Sequence, residues 1–243
     1  MSYFRPFPTT LYKFGKETHD TVIQNISAYS DILDHVKENN VAYEKYEILE
    51  GERPDTLSLK LYGSTEFYWT FFFMNDHIRK NGFPISTNEV TKWTKKQFND
   101  TVLVTRDLFF DKMLSGDTVV GQTSGTVGVI EQRQLDLGQI VIQGKKSFST
   151  TGEVIQKQGD PTQTVTIQPS DDRSEHLALR HYVNSEGNQV DVDPTVGEPG
   201  IYTEITNLQH YVNLNNSNKI IKILKRESIS QIHTLYKKSL LAV

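Results

Sequence analysis

The residues best suited to chemistry lie in the second half of the chain, where His176 and His181 are five positions apart. Three acids are close to them in the sequence: Asp171, Asp172 and Glu175. Imidazole and carboxylate groups bind metal ions, but a spacing of five does not place two histidines on one helical face. The acids also belong to a polar segment, residues 169–175, that is typical of a linker. We therefore interpret these side chains as solvated surface residues and predict no metal site.

Two further segments resemble ligand-binding loops but are incomplete. The run Gly121 to Gly125 lacks the Gly-Lys-Ser/Thr ending of a phosphate-binding loop. The run Asp191 to Asp193 lacks the remaining ligands and the glycine of a calcium loop. Both segments are predicted to be turns. No Gly-x-Ser-x-Gly or His-Glu-x-x-His motif is present, so we expect neither enzymatic activity nor a cofactor.

Aromatic residues are concentrated between Gly51 and Asp76, and this stretch raises three possibilities. The aromatic run from Phe67 to Met74 is too short to cross a membrane, which takes about 20 residues. Tyr62 and Trp69 could stack on a sugar ring or could belong to a hydrophobic core. Their spacing favours the core and leaves sugar binding open.

Composition narrows the class of protein. The chain has 243 residues, 36% of them hydrophobic and 23% charged, with a net charge of −4 and no cysteine. The negative charge disfavours nucleic-acid binding. The absence of cysteine excludes thiol catalysis and disulfides, and it suits a protein made in a reducing cytoplasm. The first ten residues do not have the pattern of a secretory signal, so a cytosolic or cytosolically assembled protein is expected.

The first hundred residues are predicted to contain an arm followed by helices. Prolines disfavour a helix in residues 1–20, so this arm is expected to be extended and to lie on another surface. Its predicted contact residues are Phe4, Phe7, Pro8 and Tyr12. A helix is predicted next, because apolar residues recur at four-three spacing. Those residues are Val22, Ile26, Tyr29, Leu33 and Val36.

A strand around Tyr43 to Ile48 is expected to lead into a pair of helices. Pro54 fits the first turn of a helix, and Leu57 and Leu61 would share a face of it. Gly63 is suited to a left-handed cap at its end. Ser64 would cap a second helix that ends at Asn75 and Asp76. A third helical segment is predicted from Ser86, with Val90, Trp93 and Phe98 as its apolar points.

From about residue 109 the sequence becomes typical of short strands and turns. Alternating runs occupy residues 126–130, 139–142 and 164–167, and the segment 116–119 resembles 152–155. We predict a small barrel or sandwich over residues 109–170. Beyond the linker, 181–183 and 211–212 are predicted edge strands and 220–224 a strand. A final amphipathic helix would begin near Ser228 and bury one stripe: Ile229, Ile232, Tyr236 and Leu240.

The stretch from Gly51 to Asp76 resembles a LysM module, whose family has a βααβ fold. The matching residues are Gly51, Glu52, Leu57, Tyr62, Gly63 and Asn75. A plain LysM module carries Asp-Thr-Leu directly after its glycine, whereas Arg53 and Pro54 intervene here, and Tyr68-Trp69 stands in the second helix.

These departures are similar to the LysM-like core of the baseplate wedge protein 53 family of T-even-like contractile-tailed bacteriophages. The likeness extends to the Phe-Pro-x-x-x-Tyr arm, to the Pro-Ile-Ser segment at 84–86 and to the Lys-Ile-Ile-Lys-Ile-Leu run at 219–224. It covers about residues 1–100 and 178–240. The β-rich middle is outside the minimal family pattern and is similar to small modules grafted into phage tail proteins.

The resemblance implies an α+β fold in four parts: an extended arm (1–20), a LysM-like domain with flanking helices (21–108), an inserted small all-β domain (109–170) and a C-terminal arm with a strand and a helix (171–243). It also implies a structural virion protein of the tail baseplate, assembled in the host cytoplasm. Its partners would be other wedge and hub proteins, with about six copies per tail, and neither nucleic acid nor membrane. The implied LysM-like core and interaction residues are Arg53, Pro54, Leu57, Tyr62, Gly63, Tyr68, Trp69, Asn75 and Asp76. The implied C-terminal contacts are Ile221, Ile223, Leu224, Ile232 and Tyr236.

Two alternatives remain at this point. A peptidoglycan-binding LysM protein of a phage tail or lysis system would have a sugar groove near Gly51 to Leu57 and Asn75, although in wedge proteins the fold is expected to serve protein contact. A cell-wall hydrolase would need a pair of acids or a nucleophile in a catalytic domain, for which no motif is present.

Overall fold

A computed structural model describes residues 7–16, 18–25, 36–38, 42–197 and 200–241. The fold mixes helices with strands, in keeping with the expected α+β class. The chain divides into two compact units. Unit 1 comprises residues 1–86 and 215–243, and unit 2 comprises residues 87–214.

The elements are numbered along the chain. The helices are α1 (Pro54–Tyr62), α2 (Trp69–Met74), α3 (Asp76–Asn81), α4 (Thr87–Gln97), α5 (Asn207–Ser217) and α6 (Arg226–Leu241). The strands of the first half are β1 (Thr9–Tyr12), β2 (Thr21–Gln24), β3 (Tyr43–Glu47), β4 (Thr101–Val104), β5 (Thr118–Gly121) and β6 (Val127–Gln134). The strands of the second half are β7 (Gln139–Ile142), β8 (Glu153–Lys157), β9 (Asp160–Ile167), β10 (Leu179–Val183), β11 (Gln189–Val190), β12 (Thr203–Thr206) and β13 (Ile220–Leu224).

The predicted helix over Val22 to Val36 is wrong at its start, where β2 pairs antiparallel with β1. Three consecutive β-branched residues, Thr21 to Ile23, favour an extended backbone there. Residues 36–38 are helical, as predicted for Val36, and Ile26, Tyr29 and Leu33 of the predicted stripe lie outside the described residues. Within the predicted arm, residues 9–12 accordingly form one strand of a hairpin.

Helix α1 begins and ends as its sequence predicts. Pro54 is the first helical residue, and the backbone N–H of Arg53 donates to Thr56 Oγ1 at 3.2 Å. Gly63 ends the helix with φ +74° and donates its N–H to the carbonyl of Leu59 at 2.9 Å. The second predicted helix is divided: Ser64 Oγ accepts from Glu66 N–H at the start of a 3-10 turn, and α2 follows. The chain then continues into α3, where the sequence predicted an end.

Unit 1 is completed by the last part of the chain. Strand β13 pairs antiparallel with β3, with Ile220 opposite Glu47 and Leu224 opposite Tyr43. Its predicted extent, residues 220–224, is confirmed. Helix α6 then buries the predicted stripe of Ile229, Ile232, Tyr236 and Leu240 against the same core. The order β3–α1–α2–β13 therefore forms one layer of strands covered by helices, with unit 2 inserted between α3 and β13.

Unit 2 contains a closed barrel. Its sheet has the order β4-β7-β6-β5-β8-β9, and a bridge between Thr105 and Ile167 joins the two outer strands. The N–H of Gln168 also donates to the carbonyl of Val104 at 2.7 Å. The barrel interior is filled by Leu103, Phe109, Met113, Val119, Ile130, Ile140, Ile142, Phe148, Ile155, Val165 and Ile167. Of the two predicted architectures for this region, the barrel is the one found.

Two predicted assignments in unit 2 differ from the structure. Strand β4 precedes the predicted start of the β domain at residue 109, yet it pairs with β7 inside the barrel. Residues 211–212, predicted as an edge strand, lie in α5. Thr206 Oγ1 accepts from the N–H of Gln209 and so caps this helix, and Tyr211 packs against Trp93. The antiparallel partner of β10 is instead β12.

Candidate interaction surface

The predicted turn at Gly121 to Gly125 already holds an anion from the protein itself. Glu153 Oε2 accepts from the N–H groups of Thr123 and Ser124, both at 2.9 Å. Its Oε1 accepts from the N–H of Ser149 at 2.7 Å. Burial opposes the charge of Glu153, but these donors outweigh it and hold the pKa of the carboxyl below its usual value. The turn therefore has a structural role, since its hydrogen bonds to Glu153 hold neighbouring segments of the barrel together.

The histidines and acids considered as metal ligands do not converge. Within the part of the chain that the structure describes, no group of three or more His, Asp or Glu side chains could hold a metal ion. His181 lies against the ring of His210, with centroids 5.7 Å apart. Asp193 Oδ1 accepts from the N–H and the hydroxyl of Thr195, which is the hydrogen bonding of a turn.

A cavity of about 560 Å³ in unit 2 contains a buried arginine. Arg173 Nη2 donates to the carbonyls of Ser149 at 2.7 Å and Gln168 at 2.9 Å, whereas Nε and Nη1 meet no partner among the described residues. The charged residues that line the cavity are Arg106, Arg173, Asp136, Asp172 and Glu204. With three acids against two bases, the lining does not select an anion.

The aromatic residues of the LysM-like motif are core residues. Tyr62 is 9% exposed and Trp69 5% exposed. The Tyr62 hydroxyl donates to the carbonyl of Leu224 at 2.9 Å, and burial raises the pKa of this phenol. The Trp69 ring stacks on Tyr236 with centroids 4.7 Å apart. Neither ring offers a free face on which a sugar could stack.

Asn75 joins the helices of unit 1 to strand β13. Its Oδ1 accepts from the N–H of Lys222 at 2.7 Å, and its Nδ2 donates to the carbonyls of Lys222 and Phe71, both at 2.8 Å. The side chain is 3% exposed, so it takes the place of a neighbouring strand along β13. Asn215 makes a similar pair of bonds with the N–H and carbonyl of Ile85, each at 2.9 Å.

The other predicted contact residues divide into buried and exposed groups. The buried group consists of Phe7, Leu57, Ile221, Ile223, Leu224, Ile232 and Tyr236. Pro8 and Tyr68 are half-buried. Tyr12 is exposed beside Phe14, and Arg53 and Asp76 are exposed in ion pairs with Asp55 and with Lys37 and Arg79. Phe4 lies outside the described residues. The predicted C-terminal contacts therefore build the core of unit 1 and are not surface groups.

Sequence reasoning missed a polar network beside α1. Lys60 Nζ lies 2.7 Å from Glu52 Oε1, and the Tyr46 hydroxyl donates to the same carboxylate at about 3 Å. Burial opposes the charge of Glu52, yet the bonds from Lys60 and from the N–H of Leu49 hold its pKa below its usual value. The sequence shows Glu52 but does not identify its partners, because Lys60 is eight positions later and Tyr46 six positions earlier.

The exposed apolar side chains include two pairs that protein contact could use. In the β1–β2 hairpin, Leu11 and Val22 face each other across the strands and are 66% and 64% exposed. In the loop between β4 and β5, Leu108 and Phe110 are 68% and 65% exposed. Strand β1 belongs to the predicted arm and β2 to the segment predicted as a helix, whereas no sequence pattern singled out the loop.

Comparison with known proteins does not assign the chain to a family. No protein-family model matches the chain, and no curated protein is a significant match. Among the described residues, no helix is both long enough and apolar enough to cross a bilayer.

Proposed function

We propose that this chain is a structural virion protein, a baseplate wedge subunit of a contractile phage tail that joins neighbouring wedge proteins around the hub. Unit 1 would contain its LysM-like core, and the β barrel within unit 2 would be the inserted domain. The function would be to hold other proteins in place, without catalysis and without a cofactor.

The observation that carries the proposal is that two segments on which the resemblance rests pack against each other. The motif from Arg53 to Asp76 and the Lys-Ile-Ile-Lys-Ile-Leu run at 219–224 are far apart in the sequence. They pack in one unit, in the order strand, helix, helix, strand, with Asn75 bonded to Lys222. A βααβ arrangement is what the resemblance implies, and it supports the proposal because the two segments need each other to form it.

The peptidoglycan-binding alternative receives no support from the same residues. Sugar recognition would need the ring faces of Tyr62 and Trp69 and the amide of Asn75. The two rings are buried, and both polar atoms of the amide are bonded to backbone groups. Protein contact requires none of these groups to be free.

The test is quantitative mass spectrometry of purified particles of the parent phage, with this chain counted against the tail hub. About six copies per tail are expected, one per wedge under rotational symmetry. Absence of the chain from the particles would refute the wedge proposal. A pull-down on purified peptidoglycan with the full chain would then decide for or against the sugar-binding alternative.

A further inference from the structure

The loop of residues 107–114, between β4 and β5, displays three large apolar side chains to solvent. Leu108, Phe110 and Leu114 are 68%, 65% and 47% exposed. Phe109 and Met113, between them, are 3% and 0% exposed and belong to the barrel core. We call this segment the apolar loop. Because Phe109 and Met113 point into the barrel, their neighbours Leu108, Phe110 and Leu114 face solvent.

The backbone of the apolar loop is held by hydrogen bonds. Arg133 Nη1 donates to the carbonyls of Phe109, Phe110 and Lys112 at 3.2, 3.0 and 3.1 Å. The N–H of Leu114 donates to Asp117 Oδ2 at 2.8 Å, and Asp117 in turn pairs with Lys157 at 2.8 Å. Exposed apolar side chains on a fixed backbone lose little conformational freedom when they bind, which is a property of interface anchors.

One residue of the apolar loop adopts a backbone conformation that is rare for its type. Met113 has φ +51°, and it is the only non-glycine residue with positive φ among the described residues. Such conformations persist where the surrounding structure over-determines them, and they are concentrated at functional sites. At Met113 the turn brings its own side chain into the barrel and leaves Leu114 outside.

Charge argues against a lipid surface as the partner. The apolar loop carries two exposed acids, Asp107 and Asp111, and one half-buried base, Lys112. A segment that binds an anionic membrane carries a clear excess of Lys and Arg. An apolar loop without an excess of basic residues instead fits an apolar pocket in a protein.

Area argues against a second copy of this chain as the partner. Three side chains exposed to this extent offer on the order of 300 Å². A stable dimer buries about 800 Å² on each partner. The apolar loop is therefore too small to hold a complex alone, and it suits a subunit that other contacts already hold in an assembly.

From these observations we infer that the apolar loop is an anchor that inserts Leu108, Phe110 and Leu114 into an apolar pocket of a different protein in the same particle. The inference rests on the proposed function, since that function supplies the assembly in which the anchor acts. It assigns the inserted barrel a role in protein contact that the wedge resemblance does not include.

Site-specific photo-cross-linking in phage-producing cells tests the inference. The chain would carry p-benzoylphenylalanine in place of Phe110, and the matched control would carry it in place of Gln158, an exposed residue of the β8–β9 turn. We expect the cross-linker at 110 to join one other virion protein with a yield at least tenfold above the control. Cross-links only to copies of this chain, or none above the control in particles that contain the chain, would overturn the inference and leave the proposed function intact.

A second pair of variants separates anchoring from folding. Phe110→Asp should lower the occupancy of the chain in purified particles severalfold, because a charge would enter the apolar pocket. Since Phe110 is exposed, thermal unfolding of the isolated chain should stay unchanged. Gln158→Asp should change neither quantity. Normal occupancy of Phe110→Asp would overturn the anchor, whereas absence of the unaltered chain from particles would refute the wedge function instead.

Discussion

At the scale of single residues, Asn75 gives the sharpest prediction for unit 1. Asn75→Asp keeps the shape but removes the two N–H donors, so that a buried carboxylate faces the carbonyls of Phe71 and Lys222. We expect unit 1 to lose about 2–4 kcal/mol of its free energy of unfolding. Urea denaturation followed by Trp69 fluorescence measures this in a Trp93→Phe background, because Trp69 is then the only tryptophan.

The matched control is Asn88→Asp, the same chemical change at an exposed position in the first turn of α4. An acid near a helix N-terminus is neutral or slightly stabilising. Equal effects of the two substitutions would show that the hydrogen bonds of Asn75 do not hold β13 in place.

Glu153 gives a prediction that depends on pH. Since its pKa is lowered in the folded state, its stabilising contribution is present above the usual pKa of a glutamate and is lost as pH falls through the lowered value. Glu153→Gln should destabilise unit 2 by about 1–3 kcal/mol at neutral pH, because an amide NH₂ group would face backbone donors. The difference from the unaltered chain should shrink in acid.

Hydrogen exchange of barrel peptides, measured over a pH series, tests the role of Glu153. Glu131→Gln is the control, since Glu131 is exposed on β6. A difference between the Glu153 variant and the unaltered chain that is the same at every pH would refute the carboxylate's role as the anion of the turn.

At the scale of elements, helix α6 is predicted to be a structural part of unit 1. Tyr236→Ala removes a ring that is 3% exposed and stacked on Trp69. We expect a loss of roughly 3–5 kcal/mol in the free energy of unfolding of unit 1. Leu235→Ala, one position earlier and 44% exposed, should cost less than about 1 kcal/mol. Urea denaturation measures both free energies of unfolding. Equal losses in the two variants would show that α6 does not pack with Tyr236 against the core of unit 1.

The elements also show how far sequence patterns reach. Short sequence patterns predicted the elements whose limits depend on neighbouring residues. Pro54 marks the start of α1 and Gly63 its end, and the apolar run at 220–224 forms β13. Tyr211 was assigned to a strand because short apolar runs do not separate strand from helix, and its partners, Trp93 and Phe98, are more than a hundred positions away.

The candidate site was harder to predict than the elements, since exposure depends on the whole fold. Tyr62 and Trp69 were rightly weighed towards the core by their spacing. Ile221 and Tyr236 were expected to contact partners, but a residue type that suits an interface suits a core equally well. Phe109 and Phe110 are adjacent in the sequence, and only the barrel decides that one is buried and the other exposed.

At the scale of the whole molecule, the two units are predicted to differ in their need for the C-terminal segment. Unit 2 is continuous in the sequence and has its own core, so a fragment of residues 87–214 should fold alone. A chain shortened after residue 218 should keep unit 2 folded and lose unit 1, since β3 would lack its partner. Hydrogen exchange resolved by peptide measures both, and protection of residues 43–74 in the shortened chain would contradict this prediction.

The pairing of β3 with β13 has a consequence for synthesis on the ribosome. Asn75 and its partner Lys222 are 147 positions apart, so the helices of unit 1 wait on the order of ten seconds for the strand that covers them. Unit 2 can fold during this interval. Translation that stops before β13 thus leaves unit 2 folded and the apolar core of unit 1 open, and proteases and chaperones recognise such exposed apolar surface. Only a chain translated through β13 and α6 completes the core of unit 1.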